Sequence, residues 1–391
     1  MKYPFEQKIN SLLSGKSINN SESLVEGMVD LFYNETISES DKKLLALAFK
    51  EGITQRDLDS FVEDWDIEVY GSAKSLILAY IMRDNKNLEF SAYEGPRLSG
   101  LLNYYRFSNL KVISQFTRYV RELNKRNIAP LLIKGGAMKY LRQDLPRVMG
   151  DTDIVVLGED FNISCDIASY MGYDFGIDSS EHSVDLHPAG EKSGGVDVHR
   201  FIDFETKYNK SFMSELFDRG EKVKVFSADA VIPCAEDLLF IALTNLAKNL
   251  HNKTSSAGML YVLFDCRYLI NSKKDFDWDI VLNNVYKTNT SAPVYFAMKF
   301  LNRIVPGILP EDLFKDKALE RGVKEYCNEV IYFRFYIHDL KMRCKKLKIK
   351  NALFDFDVFK QYLRDKPLHF VLKRVRKSPF LVAVFLKLFN K

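Results

Sequence analysis

Leu131-Leu-Ile-Lys134-Gly135-Gly136-Ala137-Met-Lys-Tyr140, and after a short gap Arg147-Val-Met-Gly-Asp151-Thr-Asp153-Ile-Val-Val-Leu157, decide the reading of this chain. Pro130-Leu-Leu-Ile133 is a short apolar run that reads as a buried strand. Gly135-Gly136 then reads as a turn, and Ala137 to about Gln143 as a helix, with Pro146 breaking the chain before the next element. The run from Asp151 to Leu157 reads as a second strand. Side chains alternate along a strand, so Asp151 and Asp153 project to one side and Thr152 and Ile154 to the other. Two like charges side by side on a buried face stay ionised only if something cationic sits between them, and a divalent metal is the usual answer. The glycine pair lets backbone N–H groups approach an anion at the mouth of the helix. A phosphate-cradling turn beside a metal-binding carboxylate pair is the equipment of phosphoryl or nucleotidyl transfer.

Such a site calls for a third carboxylate from a neighbouring strand. Asp197, alone between Val196 and Val198 in the strand-like Gly195-Val-Asp-Val-His199, is the leading candidate, both as metal ligand and as the group that takes the proton of an attacking hydroxyl. Asp185, in Val184-Asp185-Leu186, is its rival. Lys134 either reaches a phosphate or covers apolar surface with its stem. Arg147 either clamps a phosphate or pairs with Asp151 or Asp153 to hold the strand. His199 either touches substrate or is a hydrogen-bonded structural histidine. His182 and His187 invite a metal-hydrolase reading with the aspartates, but their glycine- and serine-rich segment reads as a loop. Trp278 reads as core rather than as a stacking platform. Gly15-Lys16-Ser17 imitates the end of a P-loop, but Asn10 stands where the earlier glycine is required.

With 391 residues, 47% of them hydrophobic, the chain is long enough for two or three domains with substantial cores. Residues 1–97 read as a helical region, with a helix capped by Ser40 or Asp41 that runs towards Gly52. A long amphipathic helix over 98–127 opens a small α/β core at 98–232. A helical bundle at 233–335 follows, starting with the acidic turn of Ala235-Glu-Asp-Leu. The five cysteines are scattered, odd in number and without a Cys-x-x-Cys pair, which argues against a disulfide framework or a zinc site and for a reducing cytoplasm. No run of about 18 apolar residues exists, so no spanning helix is expected. Residues 341–391 carry fifteen Lys and Arg against three Asp, a net of +12, and since the whole chain is +4 the rest stands at −8. This basic amphipathic segment, 336–391, ends in Phe380-Leu-Val-Ala-Val-Phe-Leu-Lys-Leu-Phe389. It suits an anionic membrane surface better than a nucleic acid, with a helix docked on the protein's own bundle as the alternative.

Residues 131–157 resemble the signature of the bacterial uncharacterised nucleotidyltransferase family, of the DNA polymerase β-like superfamily. That pattern is a Gly-Gly or Gly-Ser turn, an Asp-x-Asp strand and a later single acid. Val196-Asp-Val-His199, Ala235-Glu-Asp-Leu-Leu239, Leu263-Phe-Asp-Cys-Arg267 and Phe276-Asp-Trp-Asp279 extend the likeness, which covers about 98–310. The resemblance implies an α+β fold: a small nucleotidyltransferase core with a mixed sheet, flanked by N- and C-terminal helical regions. It further implies Mg2+ or Mn2+ held by Asp151, Asp153 and Asp197, and a nucleoside triphosphate on Lys134, Gly135, Gly136, Arg147 and His199. NMP would pass to an acceptor, with pyrophosphate released. Sugar, lipid-linked, peptide, protein and RNA acceptors all remain open. One departure is Ala137, where active relatives often carry serine. A catalytically silent fold, kept as a scaffold or membrane-surface protein, is the alternative.

Overall fold

The computed structural model describes residues 21–331, apart from 64, 159, 177–182, 191–193, 203–209 and 253–255. The expectations for Gly15-Lys16-Ser17, for His182 and for the basic segment 341–391 lie outside the described residues.

Seven strands form one mixed sheet in the order β3-β4-β5-β2-β1-β7-β6. They are β1 Leu131–Leu132, β2 Thr152–Val155, β3 Tyr173–Phe175, β4 Ser183–Pro188, β5 Val196–His199, β6 Glu221–Val225 and β7 Ala228–Ile232. β1 runs antiparallel to β2 and parallel to β7, whereas β2 and β5 are parallel. Every residue of β1 and β2 is buried, which their apolar runs require of strands covered on both faces. The α+β architecture expected from the resemblance is the one observed.

The helix Glu94–Asn124 is 31 residues long and buries Leu98, Leu101, Val112, Phe116, Val120 and Leu123. It starts and ends a few residues earlier than the expected 98–127, and Phe107, although apolar, is 71% exposed. Its buried Asn109 has a defined job: Nδ2 donates to the Arg147 carbonyl and Oδ1 accepts from the Met149 N–H, both at 2.9 Å. Lys139, also buried, donates to the carbonyls of Gln143 and Leu145 at 2.7 Å and to the Tyr80 hydroxyl at 3.1 Å. Burial draws its pKa down to about 8. Together these two side chains pin the 142–149 segment that delivers the chain into β2.

The N-terminal helices lie on the later helices rather than apart from them. Phe32 meets Phe296 edge-on at 5.4 Å, Phe49 meets Phe264 at 4.7 Å, and the Tyr261 hydroxyl donates to the Ala73 carbonyl. Ser38 caps the helix Glu39–Phe49 by accepting from the Asp41 N–H, so neither Ser40 nor Asp41 is the cap. Asp41 is instead buried against Lys74 at 2.7 Å. The acidic start of the helix Ala235–Asn252 is also more than a dipole effect. Glu236 and Asp237 are both fully buried. Glu236 pairs with Lys273 at 2.5 Å, and Asp237 accepts from Arg219 Nη2 at 2.8 Å and Asn284 Nδ2 at 2.6 Å.

Two further differences concern strands. The 183–188 segment, expected as a loop, is β4, and the β6–β7 hairpin has no counterpart in the sequence reading. Its turn, Phe226-Ser227, carries a positive φ of 53° at Phe226, where the usual hairpin signal would be Asn-Gly or Asp-Gly. Trp278 is half-buried against Phe276 at 4.9 Å. Among the described residues no helix is long and apolar enough to cross a membrane, and Cys165, Cys234, Cys266 and Cys327 are all free thiols.

Candidate active site

Strand register brings the acids together. Asp153 on β2 is the direct partner of Asp197 on β5, and Asp197 is in turn the partner of Asp185 on β4. Directly opposed residues project from the same face, so three carboxylates stand in one row across three strands, with Asp151 two residues from Asp153 on that face. Asp185 is therefore the neighbour of Asp197 in the row rather than its substitute. His199 follows Asp197 by two residues, shares its face and is buried. Its Nε2 lies 3.0 Å from Asp153 Oδ1 and 2.9 Å from Asp197 Oδ2.

The electrostatics separate the two acids of the Asp-x-Asp strand. Burial opposes ionisation of Asp153, but Lys134 and His199 outweigh it and hold the carboxyl well below the usual carboxylate range. Asp151 has no such partner: desolvation and the charges of Asp153, Asp197 and Asp185 push it up to about 6, against the pull of Lys134. His199 is held above its ordinary value, because Asp153 and Asp197 outweigh the burial and the Lys134 charge that oppose its protonation. Asp197 Oδ1 is buried without a hydrogen-bond partner. Among the described residues, Asp153, Asp197 and His199 offer three ligand atoms that lie within 4.8 Å of one another. An orphaned carboxylate oxygen inside such a set fits a divalent cation; carboxylate oxygen suits Mg2+, and the imidazole nitrogen suits Mn2+ at least as well.

Lys134 opens the helix Lys134–Leu141, with the glycines already inside its first turn. The sharp bend expected at Gly135-Gly136 is taken by Lys134, whose φ is 48°. The glycines answer two close approaches. A Cβ on Gly135 would lie 2.8 Å from Arg147 Nε, and one on Gly136 would lie 2.6 Å from Leu132 Cδ1 and 2.9 Å from Thr152 Cγ2. Leu132 and Thr152 are themselves buried and cannot yield cheaply. Gly136→Ala is accordingly expected to destabilise the fold by about 1–3 kcal/mol through overpacking, read from the midpoint of urea unfolding. The first-turn N–H groups have no helical acceptor and remain suited to an anion.

Arg147 pairs with neither Asp151 nor Asp153. Its Nη1 donates to Asp265 on the helix Ser256–Asn271, a pair 118 residues apart in sequence. Burial pushes the Asp265 carboxyl up to about 6 even beside this guanidinium. The motif Leu263-Phe-Asp-Cys-Arg267 contained the only sequence signal for this contact. On the outer side of the row, His187 Nε2 contacts Asp185 Oδ2 at 2.8 Å. His187 therefore sits with Asp185 and does not join the Asp153–Asp197–His199 set.

Residues 77–306, more than half of the chain, match the protein family described as "Uncharacterised nucleotidyltransferase". The chain belongs to that family. The sheet and its acids fall within the matched region, as do the helices 235–252, 256–271 and 278–287. Among solved structures, this family member is similar to an antigenic nucleotidyltransferase-like protein from Paracoccidioides brasiliensis, at 13% identity and TM-score 0.34 over 48% of this chain and 94% of that one. It is also similar to the antibiotic-resistance factor ANT(2'')-Ia, at 10% identity and TM-score 0.34 over 50% of this chain and 98% of that one. No curated protein matches the chain.

Proposed function

We propose that this family member is an enzyme that moves NMP from a nucleoside triphosphate to an acceptor hydroxyl, with release of pyrophosphate. The observation that carries this reading is the row Asp153–Asp197–Asp185, with Asp151 beside it, built into the middle of the sheet. Four carboxylates facing an anionic triphosphate would repel it unless cations intervene. Asp153 and Asp197, with Asp151 at the exposed edge and His199 behind, would hold a divalent ion, Mg2+ or Mn2+. Such an ion, when bound, orients the triphosphate and neutralises charge at the α-phosphorus.

The chain's own groups divide the remaining work. The first turn of the Lys134–Leu141 helix presents the N–H groups of Gly135 and Gly136 to phosphate oxygens, without the hydroxyl that serine in place of Ala137 would add. His199, locked between Asp153 and Asp197, keeps their oxygens at fixed separation. Asp197 takes the proton of the acceptor hydroxyl. The acceptor oxygen bonds to the α-phosphorus, the α–β phosphoanhydride bond breaks, and pyrophosphate leaves. Arg147, engaged by Asp265, braces the helical half against the catalytic segment and would reach a phosphate only on release from that pair.

Calorimetric titration of ATP, GTP, CTP and UTP, each with Mg2+ or Mn2+, tests the reading on wild type and on Asp197→Asn. Metal-dependent binding of a nucleotide by wild type, absent in a folded variant, is the expected result and names the donor. A well-folded wild type that binds none of the four would point instead to a catalytically silent member of the family, with the basic segment 341–391 as its working part at an anionic membrane surface.

A further inference from the structure

Lys134 is a cation lodged among carboxylates that the proposed chemistry needs for a metal. Its Nζ donates to Asp153 Oδ1 and stands 3.4 Å from His199 Nε2. Asp153 and His199 are two of the three residues whose ligand atoms cluster within 4.8 Å. A divalent ion bound by that cluster would therefore compete with the ammonium for the Asp153 carboxylate.

Two further observations make this a built arrangement rather than a surface contact. Lys134 adopts a φ of 48°, a region that a residue with a Cβ enters only at some expense and that glycine would occupy freely. Arg147, a second cationic group close to the site, is held by Asp265. The Lys134 side chain thus shares with His199 the neutralisation of Asp153 before any ligand arrives, and it is rooted at the start of the helix whose N-terminus faces the proposed triphosphate position.

We infer that Lys134 makes the site selective for a metal–nucleoside triphosphate complex over the free divalent ion. The inference rests on the metal-centre reading above. A free ion must pull Asp153 from the ammonium and leave that ammonium stranded beside a dication. A metal–triphosphate complex brings phosphate oxygens that accept the displaced ammonium, which a flexible four-carbon stem can carry from Asp153 to the helix N-terminus. Ion and nucleotide consequently bind with positive coupling, and Lys134 is the coupling element.

The test is Mn2+ binding, followed by electron paramagnetic resonance and calorimetry, with and without the α,β-methylene analogue of each of the four nucleoside triphosphates. Wild type is expected to bind free Mn2+ weakly, and at least about ten-fold more tightly beside the analogue it accepts. Lys134→Met and Lys134→Gly are expected to bind free Mn2+ about ten-fold more tightly than wild type, with the dependence on nucleotide largely gone. The glycine variant suits the local φ and guards against misfolding, and a thermal melt reports on both. Free-ion affinity equal to or below wild type in both folded variants, or undiminished coupling, would overturn the inference while leaving the metal centre in place. Failure of wild type and variants alike to bind Mn2+ under any condition would remove the metal centre itself, and the inference with it.

Discussion

Asp153→Asn is expected to weaken metal-dependent nucleotide binding by at least about 100-fold, because a unit of negative charge leaves the Asp153–Asp197–His199 cluster where a divalent ion gains most. The variant keeps the shape of the side chain and an oxygen for Lys134 and His199. It loses the charge that both of those groups are stabilised by, so thermal stability should also fall. Asp151→Asn makes the contrast. Its carboxyl is pushed up to about 6 by desolvation and by Asp153, Asp197 and Asp185. The folded state therefore disfavours the ionised form above pH 6, and removing the charge should relieve repulsion and leave the melting temperature unchanged or higher at pH 7.5. Calorimetry and thermal melts on the two variants decide the matter. Equal metal binding in Asp153→Asn and wild type would sink the assignment of Asp153.

Arg147→Met should cost the fold about 3–5 kcal/mol at pH 8, the usual penalty for stranding one partner of a buried ion pair. Asp265 is the stranded partner, with a side chain only 7% exposed. Its carboxyl already titrates near 6 in the folded protein, above the unfolded value near 3.9. Because the folded state binds its proton more tightly than the unfolded chain, the penalty is fully present above the folded pKa and fades as pH falls towards 4. Loss of the guanidinium raises that pKa further, so the variant should regain more stability than wild type between pH 8 and 5.5. Urea unfolding at both pH values measures this, and Arg147→Met/Asp265→Asn should recover most of the loss at pH 8. A single variant as stable as wild type would mean that the pair carries no weight in holding the helical half against the site.

Much of the site was legible in the chain because its signals are local. A strand has a period of two, so Asp151 and Asp153 had to share a face once the apolar run around them was seen. Val196-Asp-Val-His199 carried the same alternation and placed Asp197 and His199 together. The alternation in Ser183-Val-Asp-Leu-His-Pro188 was equally present, but the glycines and serines around it favoured a loop, and so β4 and the true place of Asp185 were missed. The β6–β7 hairpin escaped because Phe226 takes a positive φ in place of an asparagine or glycine, a cost that only the packed sheet can offset. Asn109 was invisible as a functional choice. A polar residue midway along an amphipathic helix reads as solvent-facing until a loop is found to need its amide.

What the sequence by itself determined was a small α/β core between helical regions, and the candidate acids, since hydrophobic periodicity and residue chemistry are properties of short segments. Which acid meets which cation was decided only in three dimensions. Lys134 and Asp153 are nineteen residues apart, and Arg147 and Asp265 are separated by 118. The register between parallel β2 and β5, the φ of 48° at Lys134 and the seating of Arg147 over Gly135 are set by packing across the sheet and helices. No local rule specifies such pairings, because each partner's charge becomes decisive only after burial has removed water from between them.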